Sequence, residues 1–80
     1  MDPQDIQRGE AYHNAAADFD VCFQHDPTAL GGVGARFVVL VRPNARAAWD
    51  WRRPIYTGSG LRRAREHVAR ILQWTTYPAP

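Results

Sequence analysis

The stretch RFVVLVRPNARAAWDWRRPIYTGSGLRRAREHVARILQW, residues 36–74, decides the fold. In residues 36–42, Phe37, Val39 and Val41 alternate with Val38 and Leu40, so both faces of an extended chain are apolar. That pattern predicts a central strand with Arg36 and Arg42 at its wet ends. Pro43 presets φ and Asn44 tolerates a left-handed backbone, and together they predict a turn. Residues 48–53 read as a further strand, with Trp49 and Trp51 on one side and Asp50 and Arg52 on the other. Pro54 has no N–H to give a ladder, which places that strand at an edge or ends it there. Ser59 then reads as the N-cap of a helix over about residues 60–74. On that helix Leu61, Ala64, Val68, Ile71 and Leu72 form a core-facing stripe. Arg63, His67, Arg70 and Trp74 climb the outer face, and Glu66 stands one turn from both Arg62 and Arg70.

Working outward, residues 18–25 alternate as a half-buried strand does. Phe19, Val21, Phe23 and His25 point one way, and Asp18, Asp20, Cys22 and Gln24 point the other. Asp26 and Pro27 end it, and the glycine-rich segment Thr28 to Gly34 predicts a loop. Asp2 before Pro3 is a helix-start signature, but Gly9 interrupts a thin apolar stripe. Residues 1–16 therefore read either as a short helix or as a solvated arm. The expected architecture is one α+β domain over residues 1–80. A three-stranded antiparallel meander spans residues 18–56, the C-terminal amphipathic helix packs on one face, and residues 75–80 form a tail.

Composition bounds the function. Eighty residues bury a modest core, and 45% hydrophobic with 22% charged residues is ordinary for a globular domain. No run of about 18 apolar residues exists to cross a membrane. The start, Met1 to Asp5, is acidic and lacks the apolar core of a signal peptide, so a cytoplasmic protein is expected. A single cysteine, Cys22, agrees with a reducing compartment. All ten basic residues are arginine, the cation best suited to bidentate pairing with phosphate or carboxylate and to stacking on rings. The net charge of +2 conceals a division. Residues 1–26 hold six acids against Arg8, about −5, and residues 27–80 hold nine arginines against Asp50 and Glu66, about +7.

Catalytic and metal chemistry find little support. Cys22 and His25 lie three apart on a strand and so on opposite faces, and a buried free cysteine is usually a packed side chain. Three scattered histidines do not make a zinc site, and the run Gly31 to Gly34 leads into a strand rather than the helix a phosphate loop needs. No catalytic residue, metal or cofactor is expected. Two binding readings remain. In one, Asp18, Asp20 and Asp26 grip basic protein surface while Arg63, Arg70 and Trp74 make a second contact, as charge-divided surfaces do. In the other, Arg52, Arg53, Arg62, Arg63, Arg65 and Arg70, interleaved with Trp49, Trp51, Tyr56 and Trp74, bind nucleic acid. Whether Trp49 and Trp51 lie in the core or on the surface is open between these readings.

The acids Asp18, Asp20 and Asp26 and the arginine helix Arg62 to Arg70 give a chain of this size a segregated charge that resembles phage-encoded anti-CRISPR proteins. The resemblance covers the whole chain in style and no position in particular, and the net positive charge departs from the acidic members that mimic DNA. It implies a monomeric, non-enzymatic inhibitor in a bacterial host cell. Such a protein binds a type I surveillance complex and blocks its recognition of target DNA.

Overall fold

The computed structural model describes residues 1–26 and 36–77. The glycine-rich segment and its possible phosphate loop, and the last residues of the tail, lie outside the described residues. The fold is α+β, with four antiparallel strands in sequence order: β1 (Tyr12–Asn14), β2 (Phe19–His25), β3 (Phe37–Arg42) and β4 (Tyr56–Gly58). One helix, α1 (Leu61–Ile71), covers a single face of the sheet. Among the described residues no helix is long and apolar enough to cross a membrane.

The central pair forms as the alternation predicts. Val21 faces Val41 and Phe23 faces Val39 across β2 and β3, and all four are buried toward α1. Ala64, Val68 and Ile71 supply the helix side of this core. Burying one valine or isoleucine of this core stabilises the fold by about 1.5–3 kcal/mol. Leu61 and Leu72, expected in the same stripe, sit at its margins. Leu61 opens the helix at 40% exposure, and Leu72 is half-buried. Ile6 fills the space instead, fully buried, with Arg65 Nε donating to its carbonyl at 3.1 Å.

The strand count differs from the expected three. Residues 12–14, which the sequence places at the end of a helix or arm, form β1. Gly9 adopts φ +84°, a left-handed turn that no helix continues through, and donates its N–H to the Phe23 carbonyl at 2.9 Å. Only one 3-10 turn, Pro3–Asp5, precedes it, capped by the Asp2 carboxylate on the Gln4 N–H. The expected third strand over residues 48–53 is also corrected. Asn44 Oδ1 accepts the N–H groups of Arg46 and Ala47 and starts a long connection rather than a hairpin. The ladder resumes only after Pro54, where the Ile55 N–H reaches the Val39 carbonyl and Tyr56 pairs with Val39. Gly58 leaves room over β4 for the Tyr56 ring, into which a Cβ would project.

The helix begins at Gly60 with no side-chain cap, so Ser59 does not serve as one. Its C-terminal turn is held from below. The Asn14 amide nitrogen donates to the carbonyls of Ile71 and Trp74, both at 2.9 Å, and its oxygen accepts the Ala17 N–H. A buried amide that joins β1, the β1–β2 turn and the helix end leaves three backbone groups short when removed. Asn14→Ala is expected to lower unfolding stability by about 1–3 kcal/mol in urea titration. A loss below about 0.5 kcal/mol, the range of ordinary surface substitutions, contradicts this role.

Candidate functional site

The strand register sets His13 beside Asp20, and Asp20 beside Arg42, on the face of the sheet turned away from α1. The Asp20 carboxylate is 6% exposed at the residue level and meets His13 Nδ1 and Arg42 Nε, each at 2.9 Å. The Arg42 guanidinium lies 4.1 Å above the Trp49 ring, a cation–π contact. Trp49 in turn covers Cys22, Val38 and Leu40, which are buried on this second face. Burial pushes the Asp20 carboxyl up, but hydrogen bonds from His13 and Arg42 outweigh it and leave its pKa below the ordinary value.

This geometry separates the three acids that sequence grouped together. Asp20 is occupied inside the fold. Asp18 occupies a left-handed turn position, φ 56°, with its side chain 90% exposed and 3.4 Å from His13 Nε2. Asp26 is half-buried just beyond the far end of β2, six residues from Asp20, or about 20 Å along an extended chain. The structure therefore brings Asp18 and Asp20 together around His13 and does not add Asp26 to them.

The arginines of α1 lie across the sheet from this network. Arg62, Arg63 and Arg70 are exposed, while Arg65 is half-buried on the Ile6 carbonyl. Among the described residues Asp20–Arg42 is the only arginine–carboxylate ion pair, so Glu66 neutralises neither Arg62 nor Arg70. His67 leaves the outer face to stack on Tyr56, with ring centroids 4.1 Å apart. Burial, with Arg70 and Arg63 nearby, lowers its pKa against the opposing pull of Glu66, and the ring is neutral at neutral pH. Arg63, Glu66, His67 and Arg70 line a shallow hollow on this side. Trp74, expected on the outer face, folds under the helix end, 6.4 Å from the Phe19 ring.

The remaining residues of the basic surface reading lie in the β3–β4 connection. Arg52 and Arg53 are exposed, and Trp51 is 45% exposed between Asp50 and Arg52. The two tryptophans left open by the sequence thus divide: Trp49 covers the second face of the sheet and Trp51 faces solvent. Tyr56 supports His67. Tyr77, which sequence placed in a loose tail, packs edge-on against Phe19 at 5.1 Å and stays 38% exposed. Cys22 is fully buried, burial pushes its thiol up to about 11, and Gln24 donates to its sulfur at 3.5 Å. Such a thiol remains protonated and out of reach of a substrate. Sequence missed the bond between Asp20 and Arg42. Both were visible on outward strand positions, but only the register between strands reveals the pairing.

Asp20 is more acidic in the folded chain than in the unfolded one. Its stabilisation is therefore complete above about pH 4 and is lost as pH falls through the folded value. Asp20→Asn is expected to flatten the dependence of stability on pH below about pH 4. Asp20→Ala, which leaves Arg42 without its partner, is expected to cost about 3 kcal/mol at neutral pH. Urea titrations at stepped pH check both, and equal slopes for wild type and Asp20→Asn contradict the assignment. No protein-family model matches the chain, and no curated protein or solved structure matches it, so function is read from the geometry.

Proposed function

We propose that the protein is a monomeric, non-enzymatic binding protein of the cytoplasm that holds nucleic acid against the outer face of α1. One observation carries this reading. Arg62, Arg63 and Arg70 are exposed on one helix with no carboxylate partner among the described residues, while Asp20 is spent on Arg42 across the sheet. Unpaired arginine forks on a convex helix suit phosphate oxygens, which they approach bidentately. Arg62 and Arg63 also stand at the positive end of the helix dipole, with no acid in the first turn. Each such cation costs the helix about 0.3–1 kcal/mol, a penalty that a bound polyanion relieves.

A second reading keeps the protein as an anti-CRISPR inhibitor that binds a type I surveillance complex and blocks target-DNA binding. The exposed Asp18 carboxylate favours it, since an outward acid beside His13 suits a basic protein surface. Asp18 and the arginine face lie on opposite sides of the sheet. A partner that uses both must wrap around its edge. Pull-down with surveillance-complex subunits distinguishes this reading: capture that Asp18→Arg abolishes supports it, and no capture from any subtype removes it.

The nucleic-acid reading is tested by salt titration of binding to a fluorescent oligonucleotide. Replacing Arg62, Arg63 and Arg70 together with alanine is expected to weaken binding and to reduce the slope of log K against log salt by about 2–3. Lowering pH is expected to strengthen wild-type binding as His67 gains charge between Arg63 and Arg70, at a lower pH than an ordinary histidine requires. His67→Gln reduces that rise. An unchanged salt slope in the triple variant contradicts the proposal.

A further inference from the structure

We infer that the end of the domain carrying Trp51 and Tyr77 is a stacking platform that selects single-stranded over duplex nucleic acid. This inference rests on the nucleic-acid reading above and narrows it to one class of ligand. Several elements converge at that end. β2 starts there with Phe19, and β3 finishes there with Val41 and Arg42, which pair with Val21 and Asp20. The β3–β4 connection returns to it, where the Asp50 N–H meets the Val41 carbonyl at 3.4 Å. The last turn of α1 also reaches it, through the Asn14 amide on the Ile71 and Trp74 carbonyls.

The aromatic side chains at this end are unequal. Trp49 is held under Arg42, and Trp74 packs against Phe19. Trp51 and Tyr77 are the two that keep large exposed surfaces, 45% and 38%. Both stand at this end: Tyr77 packs on Phe19 at the start of β2, and Trp51 follows Asp50, whose N–H meets the Val41 carbonyl near the end of β3. Burial raises the Tyr77 hydroxyl pKa, and the Asp50 carboxylate raises it further. Tyr77 is oriented from behind, edge-on to the buried Phe19 ring, so its ring is held rather than loose.

An indole and a phenol exposed at one end of a small domain gain free energy when something covers their rings. The charge around them says what that is. Arg52 and Arg53 follow Trp51 directly and are exposed, Arg70 lies in the last turn of α1, and the one acid beside the indole, Asp50, already accepts the Arg52 N–H. Rings for base faces among arginines for phosphates are the combination by which unpaired strands are bound without regard to sequence. A duplex hides its base faces in the stack and offers only phosphates to the same surface. Discrimination therefore comes from the rings, while the arginines serve both ligands.

The test compares a fluorescein-labelled oligothymidylate strand with a duplex of equal length, by anisotropy at low salt, for wild type, Trp51→Ala, Trp51→Phe and Tyr77→Ala. Wild type is expected to bind the strand more tightly than the duplex. Trp51→Ala is expected to lose about 5- to 150-fold on the strand and to leave the duplex unchanged. Trp51→Phe, which keeps a ring, retains most of the affinity, and Tyr77→Ala loses less than Trp51→Ala. Circular dichroism confirms that each exposed substitution leaves the fold intact. Equal binding of strand and duplex, or strand binding that ignores both rings, overturns the platform while the arginine face stands. Wild type that binds neither ligand overturns the platform and the nucleic-acid reading together, and capture of an acidic protein through Trp51 in that case assigns the rings to a protein contact.

Discussion

Everything in this domain follows from a central strand pair that is apolar on both faces. Val21, Phe23, Val39 and Val41 need cover on one side, and Cys22, Val38 and Leu40 need it on the other. Among the described residues α1 is the one helix long enough to cover a face. α1 takes the first face, and the second is closed by Trp49 from a connection without regular structure. A tryptophan on a loop is a mobile cover unless it is fixed. Arg42 fixes it by lying on the ring, and Asp20, drawn in from the next strand, holds Arg42 in place.

That solution sets the surface. The net charge of the N-terminal half suggests an acidic patch able to grip a partner, yet its central acid is drawn into the fold to pin a structural arginine. The arginines of α1 are left unbalanced on the opposite side. Three of them crowd the first turns of a helix with no side-chain cap, a poor choice for helix stability. Ala64, Val68 and Ile71 on the buried stripe, together worth far more than a dipole contact, hold the helix regardless. Of these three, Arg65 is tied to the Ile6 carbonyl, and Arg62 and Arg63 are left facing solvent.

Much of the fold was legible because long elements carry long patterns. Residues 18–25 and 36–42 alternate over enough positions to fix both strands within a residue, and the spacing of Ala64, Val68 and Ile71 fixes α1 and its inner face. β1 and β4 have three residues each, too few for a period to register. Trp49 and Trp51 mimic alternation in a segment that is not a strand, because an indole that covers a sheet from above leaves the same mark as one that projects from it. The site was legible in its parts and not in its arrangement. Arg62, Arg63 and Arg70 are on the surface that the helical wheel assigns to them. Trp74 and His67 turn inward onto Phe19 and Tyr56, contacts set by partners far away in sequence. The occupation of Asp20 depends on which residue of β3 lies opposite it, and no reading of either strand by itself contains that.

Under the proposed function, the working surface is the arginine side of the molecule and the acidic network across the sheet is structural. Amide and indole shift mapping of the labelled protein against a single-stranded oligonucleotide tests it most directly. Shifts are expected at Arg62, Arg63, Arg70 and the Trp51 indole, larger than any at His13, Asp18, Asp20 and Arg42. Shifts centred on Asp18 and His13, with the outer face of α1 silent, would contradict it.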